Sequence, residues 1–179
     1  LKEETLKLIS AVGLSEDVLS MYPHELSGGM CQRVTIALAL APKPSIVVAD
    51  EPTSNLDAYL RGYIVHLIKD LSRKLKMSLI VITHDISIAE VICEDMVVMY
   101  LGELVERGRV RDVLREPLHP YTTELIASAG LQRVGQKWRK YVSGCVYYTR
   151  CPYTSDKCLE RPPLFKLGSE REVRCWKRL

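Results

Sequence analysis

The sequence predicts an α/β fold in which a parallel sheet is flanked by helices, and three observations carry that prediction. Two short apolar runs rich in β-branched residues, 45–49 and 78–83, have strand length and no polar alternation, the pattern of strands covered on both faces. Between them, Leu60, Ile64, Leu67, Ile68, Leu71 and Leu75 recur at spacings of three and four, which is one buried helix face over residues 58–75. Strand, helix, strand, helix, strand in this order calls for a right-handed βαβ arrangement with helices on both sheet faces.

Taken in order, short helices are expected over residues 3–11 and 15–20, joined at Gly13, the second stopping before Pro23. Ser27 is a good N-cap for a helix running to residue 41, and Pro42 and Pro44 end it. The run 45–49 follows as a central parallel strand, then the helix 58–75 and the second strand. Residues 86–93 read as a short helix, and 96–101 with 103–107 as a hairpin turning at Gly102. Two further short helices, 110–114 and 120–128, complete the pattern, with Pro120 suited to a first turn. After Gly130 the aliphatic periodicity gives way to Arg, Lys, Tyr, Cys and Pro. A domain boundary is expected there, dividing 1–129 from a small, irregular, cysteine-rich extension over 130–179.

The 179 residues are 47% hydrophobic, enough for one packed core with an appendage. No apolar run approaches the ~18 residues a membrane-spanning helix needs. The first ten residues alternate Lys and Glu with Leu, unlike a secretory signal, and the missing initiator Met is expected to mark a truncated product. Net charge is +3, yet residues 131–179 hold 12 basic against 4 acidic side chains and the rest of the chain 13 against 18. Such a basic tail can mark nucleic-acid or membrane contact; a solvated tail beside an anionic cofactor is the simpler account. Of six cysteines, Cys31 and Cys93 fall in helical stretches and read as inert thiols, while four cluster in the tail.

The chemistry concentrates at strand ends. Asp50 and Glu51 close the first apolar run, where ligand crevices lie in open α/β sheets. Pro52 is expected to hold Glu51 extended, so that Asp50 binds Mg²⁺ through water while Glu51 acts as general base on an attacking water. His84 follows the second run and is expected at the same rim, in contact with a terminal phosphate. Ser27-Gly28-Gly29 offers a capped helix start with exposed N–H groups, a cradle for an anion.

Together these residues resemble the ABC ATPases, a branch of the P-loop NTPases. The run Leu26-Ser27-Gly28-Gly29-Met30-Cys31-Gln32-Arg33-Val34 is similar to the family's signature motif, residues 46–51 to its Walker B strand and catalytic Glu, Ser54-Asn55-Leu56-Asp57 to its D-loop, and His84 to its switch histidine. The resemblance implies ATP and Mg²⁺ as cofactors and a head-to-tail dimer of ATPase subunits, like or unlike. In it Leu26, Ser27, Gly28, Gly29 and Gln32 would meet the partner's nucleotide. Asp50, Glu51 and His84 would serve their own, and Asp57 would couple the two sites. No Gly-x-x-x-x-Gly-Lys-Ser/Thr loop occurs in the sequence. The fold is therefore expected to be part of an ABC ATPase domain lacking its Walker A loop, inactive alone and active in its full-length parent.

Leu118-His119-Pro120-Tyr121-Thr122, Met30 and the tail resemble the oligopeptide/dipeptide (peptide/nickel) importer branch, although Cys31 stands where a basic residue is usual. Cys145, Cys151, Cys158 and Cys175 are separated by five, six and sixteen residues. A 4Fe–4S cluster suits that spacing better than zinc, which prefers close pairs, and disulfides are disfavoured in a cytoplasmic protein. Arg150, Lys157, Arg171 and Arg174 are expected to offset the cluster's charge. The resemblance implies a peripheral subunit on the cytoplasmic membrane face, energising uptake of oligopeptides, dipeptides or related solutes with permease subunits and, indirectly, an extracellular solute-binding protein, without nucleic acid. A non-transport ABC ATPase and a nucleotide-free regulatory subunit are the alternatives.

Overall fold

The computed structural model describes residues 2–54, 56–128 and 143–178. They fall into two compact units, residues 1–84 and 85–179.

The first unit runs α1 (Lys2–Ala11), 3-10 turns at Glu16–Ser20 and Pro23–Glu25, α2 (Gly28–Leu40), β1 (Ile46–Asp50), α3 (Ala58–Leu75) and β2 (Ser78–Ile82). β1 and β2 pair in parallel, Ile46 opposite Ser78 and Asp50 opposite Ile82, with α3 as the crossover that the period of 58–75 predicts. Asp57 starts α3 by accepting the Leu60 N–H at 2.9 Å. Its apolar stripe buries Ile64, Val65, Ile68 and Leu71. The core joins Ile9, Val12 and Leu14 to Ala37, Leu40 and Leu71, with Val47 and Met77 packed against it. A fully buried Leu or Ile contributes about 2 kcal/mol of transfer free energy, so this cluster is what orders the helices over the strands.

The expectation that both strands are covered on both faces is not met. Ile46, Val48, Ile80 and Ile82 are 57, 58, 51 and 52% exposed. Strand side chains alternate faces, and among the described residues the helical core lies against the Val47 side alone. Asp50 shares the open face with Ile46 and Val48.

The second unit contains α4 (Ile86–Ile92), β3 (Asp95–Tyr100), β4 (Glu103–Arg109), α5 (Val110–Arg115), α6 (Pro120–Ser128), β5 (Phe165–Leu167) and β6 (Arg171–Val173). The third expected strand does not extend the parallel pair: β3 belongs to a separate antiparallel sheet ordered β3-β4-β6-β5. The two-residue turn explains why. Leu101 and Gly102 both take positive φ, 47° and 81°, the hairpin geometry whose twist matches its flanking strands. β6 of the tail pairs with β4, Glu106 opposite Val173. The boundary expected near Gly130 lies outside the described residues. None of the described helices is long and apolar enough to cross a membrane.

Candidate functional site

β1 ends at Asp50, and the chain then departs from the extended course that Pro52 was expected to impose. Glu51 adopts φ 44°, in the left-handed region. For a residue with a Cβ this costs on the order of 1–2 kcal/mol, and such strain persists only where neighbours hold it. Here the Glu51 N–H donates to the Ile82 carbonyl at 2.9 Å and its carbonyl accepts the Ser54 N–H at 3.1 Å. The turn carries the carboxylate sideways to the end of β2. Glu51 Oε1 accepts both the His84 N–H at 3.1 Å and the His84 Nδ1–H at 2.8 Å.

The structure thus brings Glu51 and His84 together at one sheet edge, with the His84 side chain 85% exposed and the Glu51 side chain 36%. A carboxylate oxygen accepts, so the ring nitrogen that meets it, Nδ1, is the donor, and Nε2 is the ring's other hydrogen-bonding atom. Asp50 is exposed one residue away on the other side of the strand. Exposed carboxylate oxygen at a strand end is the ligand type Mg²⁺ takes while keeping its waters.

Ser27 caps α2, its Oγ accepting the Met30 N–H at 3.3 Å. Ser27 and Gly28 are exposed and a Cβ on Gly28 would meet open space, whereas Gly29 is buried with the Leu60 side chain 3.2 Å from where its Cβ would stand. Leu26 is half-buried. Gln32, expected at a nucleotide, instead gives its side-chain N–H to the Pro52 carbonyl at 2.8 Å. Asp57 is exposed as the cap of α3, and Asn55 of the same motif lies outside the described residues.

In the tail, Cys145, Cys151, Cys158 and Cys175 are free thiols lining one cavity of about 270 Å³, together with His119, Tyr147 and Trp176. The Cys145 N–H donates to the Cys158 carbonyl at 2.9 Å, which sets these two segments side by side. Burial pushes the Cys145 thiol above its ordinary pKa. Among the described residues, however, no three His, Cys, Asp or Glu side chains converge closely enough to hold a metal ion, so the expected iron or zinc ligand set is not assembled. The thiols are spread over the wall of a cavity rather than drawn to one point.

Three of the four cations assigned to that site are engaged elsewhere: Arg150 pairs with Glu124, Arg171 with Glu106 and Arg174 with Glu103. The lysines lining the cavity are Lys157, 4.4 Å over the Trp176 ring, and Lys177, 3.1 Å over Tyr153. Sequence reasoning also missed Glu106. Wholly buried, it accepts the Leu118 and His119 N–H groups at 2.9 Å and Arg171 at 2.7 Å. Glu106 sits in a strand that carries two acidic and two basic side chains, where nothing local distinguishes it from a solvated one.

Comparison with known proteins accounts for both regions. The family model described as ABC transporter matches residues 2–54, and that of the oligopeptide/dipeptide transporter C-terminal region matches residues 105–158. The dipeptide transport ATP-binding protein DppD of Haemophilus influenzae is 41% identical over 188 aligned residues, covering 97% of this chain and 57% of its own length. The oligopeptide transport ATP-binding protein OppF of Escherichia coli is 35% identical, covering 98% and 57%. The chain therefore spans little more than half the length of these relatives. Among solved structures, a post-hydrolysis dimer of the ATP-binding cassette MJ0796 with ADP and Pi superposes with a TM-score of 0.54 at 35% identity, over 61% of this chain and 47% of that one. With one model spanning the signature turn and Glu51, and the other the His119 segment and three of the tail cysteines, the chain is similar along its length to ABC transporter ATP-binding proteins of the oligopeptide/dipeptide branch.

Proposed function

We propose that these residues form the signature-motif part of an ATP-hydrolysing subunit that energises uptake of dipeptides, oligopeptides or related solutes. The observation that carries the reading is the 2.8 Å contact between Glu51 and His84, a carboxylate and an imidazole presented at one exposed edge. Glu51 is the general base toward water, His84 orients it and meets the terminal phosphate, and Asp50 holds Mg²⁺. Ser27 and Gly28, open to solvent, meet the nucleotide of a second ATPase subunit placed head to tail, with Leu26 and Gly29 supporting the turn and Asp57 facing the same interface. Membrane permease subunits receive the stroke, which places the protein at the cytoplasmic membrane face. The printed names of the relatives, dipeptide and oligopeptide transport ATP-binding proteins, support the solute class.

The tail cysteines are read as the site of a 4Fe–4S cluster, with zinc as the alternative; they line one cavity, and binding would require the thiols to draw together from the spread in which they stand. Anaerobic purification followed by iron, sulfide and zinc determination decides it; metal-free protein with full thiol titre removes the cluster from the account.

Two experiments test the ATPase reading. In the native polypeptide containing these residues, assembled with its partner subunits, Glu51→Gln should keep ATP binding and lower turnover by at least about a hundredfold. Turnover that survives the substitution excludes Glu51 as the base. Because the sequence carries no Walker A loop, the 179-residue chain alone should show no ATP hydrolysis above buffer.

A further inference from the structure

Gln32, expected at a partner's nucleotide, is engaged within its own subunit. It lies one turn into α2, and its side chain reaches the Pro52 carbonyl, just past Glu51. We infer that Gln32 is a positioning residue, a polar strut through which the start of α2 sets the geometry of the Glu51–His84 pair in the same subunit. The structural half of this inference stands on the distances alone; its functional half rests on the ATPase reading.

Pro52 is buried, as is Thr53 at 5% exposure. A buried carbonyl left without a donor costs about 1–3 kcal/mol, so the Gln32 amide, at 2.8 Å, is held there. The acceptor belongs to a segment with little freedom. Its preceding residue is Glu51 in the left-handed region, fixed by the Ile82 carbonyl on one side and Ser54 on the other. A displacement of the Pro52 carbonyl therefore turns the Glu51 backbone, and the carboxylate at its side-chain end is the acceptor for His84.

At its other end the strut is mounted on a 13-residue helix whose first turn is closed by Ser27 on the Met30 N–H. A helix transmits a push along its axis with little bending over one turn, because each residue is held by the i to i−4 ladder. Gly29 packs on Leu60 nearby, but that contact is apolar and non-directional; it sets a distance and no angle. Of these two contacts the Gln32 bond is the directional one, and it ends beside Glu51. An anion seated on the Ser27-Gly28 turn would thus be felt at the base of the same subunit, which links the two composite sites of a head-to-tail dimer without a contact between their nucleotides.

The test separates the strut from simple destabilisation with two variants. Gln32→Met keeps the volume and removes the donor, while Gln32→Lys keeps a donor able to reach Pro52. In the 179-residue chain, ¹⁵N resonances of the His84 ring should move in Gln32→Met and stay near wild type in Gln32→Lys. In the native assembly Gln32→Met should lower kcat about tenfold with KM for ATP within about twofold, and Gln32→Lys should recover most of kcat. Unmoved ring resonances in Gln32→Met overturn the inference whatever the assembly does, as does an equal loss in Gln32→Lys. If the rings respond as expected but the wild-type assembly has no ATPase activity, the strut stands and the ATPase reading fails.

Discussion

Glu106 and Arg171, 65 residues apart in sequence, meet in an ion pair of 2.7 Å whose carboxylate is completely excluded from solvent. The pair joins β4 to β6, and the same guanidinium donates to the Glu116 carbonyl at 2.7 Å while the carboxylate takes N–H groups from Leu118 and His119. One buried charge therefore organises three chain segments. Desolvating it is costly, and removing one partner leaves the other uncompensated.

Arg171→Ala should accordingly destabilise the chain by about 3–5 kcal/mol, and Glu106→Gln, which keeps the shape and part of the hydrogen bonding, by about 1.5–3 kcal/mol. Urea unfolding followed by tryptophan fluorescence reads both, since Trp176 lies in the same tail. A cost below about 1 kcal/mol for Arg171→Ala would mean that the sheet pairing of β6 holds the tail without the ion pair.

His119 adds a pH dependence. It is 1% exposed, its Nδ1 accepts the Tyr121 N–H at 3.1 Å, and burial lowers its pKa from 6.5 to about 4. The folded state binds this proton less tightly than the unfolded state, so stability rises with pH across the interval. The contribution is complete above 6.5, falls away between 6.5 and 4, and is gone below 4. Between pH 7 and pH 5 the loss is about 2 kcal/mol. His119→Gln should flatten this part of the profile, measured as urea midpoints at the two pH values; an unchanged slope assigns it to other groups.

The elements with short-range causes were legible in the sequence, and those set by distant partners were not. The stripe from Leu60 to Leu75 predicts α3 within one contiguous stretch, and the structure reproduces it as Ala58–Leu75. Glu51 and His84 could be brought together because each follows an apolar strand and parallel strands end at a common edge. The left-handed backbone of Glu51 was not legible. The local rule for a residue before proline points to extended backbone, and it is overridden by the backbone bond to the Ile82 carbonyl on the neighbouring strand and the turn closed by the Ser54 N–H. Glu106 escaped for the same reason: its partner arrives with β6, and burial of a charge by a later segment leaves no trace in its own neighbours.

The strain at Glu51 can be measured directly. Glu51→Ala and Glu51→Gly both abolish the His84 contact, but only the alanine retains a Cβ in the left-handed region. Glu51→Gly should therefore be more stable than Glu51→Ala by about 1 kcal/mol, opposite to the order of the two residues in regular structure. Paired thermal or urea transitions suffice. If alanine is the more stable of the two, the positive φ is not maintained in solution and the swing of the carboxylate toward His84 needs another cause.

Gly144 offers the corresponding test for the four-cysteine cavity. A Cβ built there would stand 2.4 Å from both the Cys158 and the Leu159 carbonyl oxygens, and these are backbone atoms with no rotamer by which to yield. Gly144→Ala must therefore move the 145 segment away from the 158 segment and stretch the 2.9 Å bond from the Cys145 N–H to the Cys158 carbonyl. The expected cost is about 2–3 kcal/mol, in the range of core overpacking. Because the half-buried Cys145 and Cys158 flank that bond, the movement should also expose their thiols and speed their alkylation, read by mass spectrometry on the intact chain. Gly102→Ala, at a turn with no atom near its Cβ, supplies the control: it too is strained by its positive φ, yet it should leave cysteine alkylation unchanged. Equal alkylation rates in the Gly144 variant and wild type would show that the close approach of the two segments is not what shields these thiols.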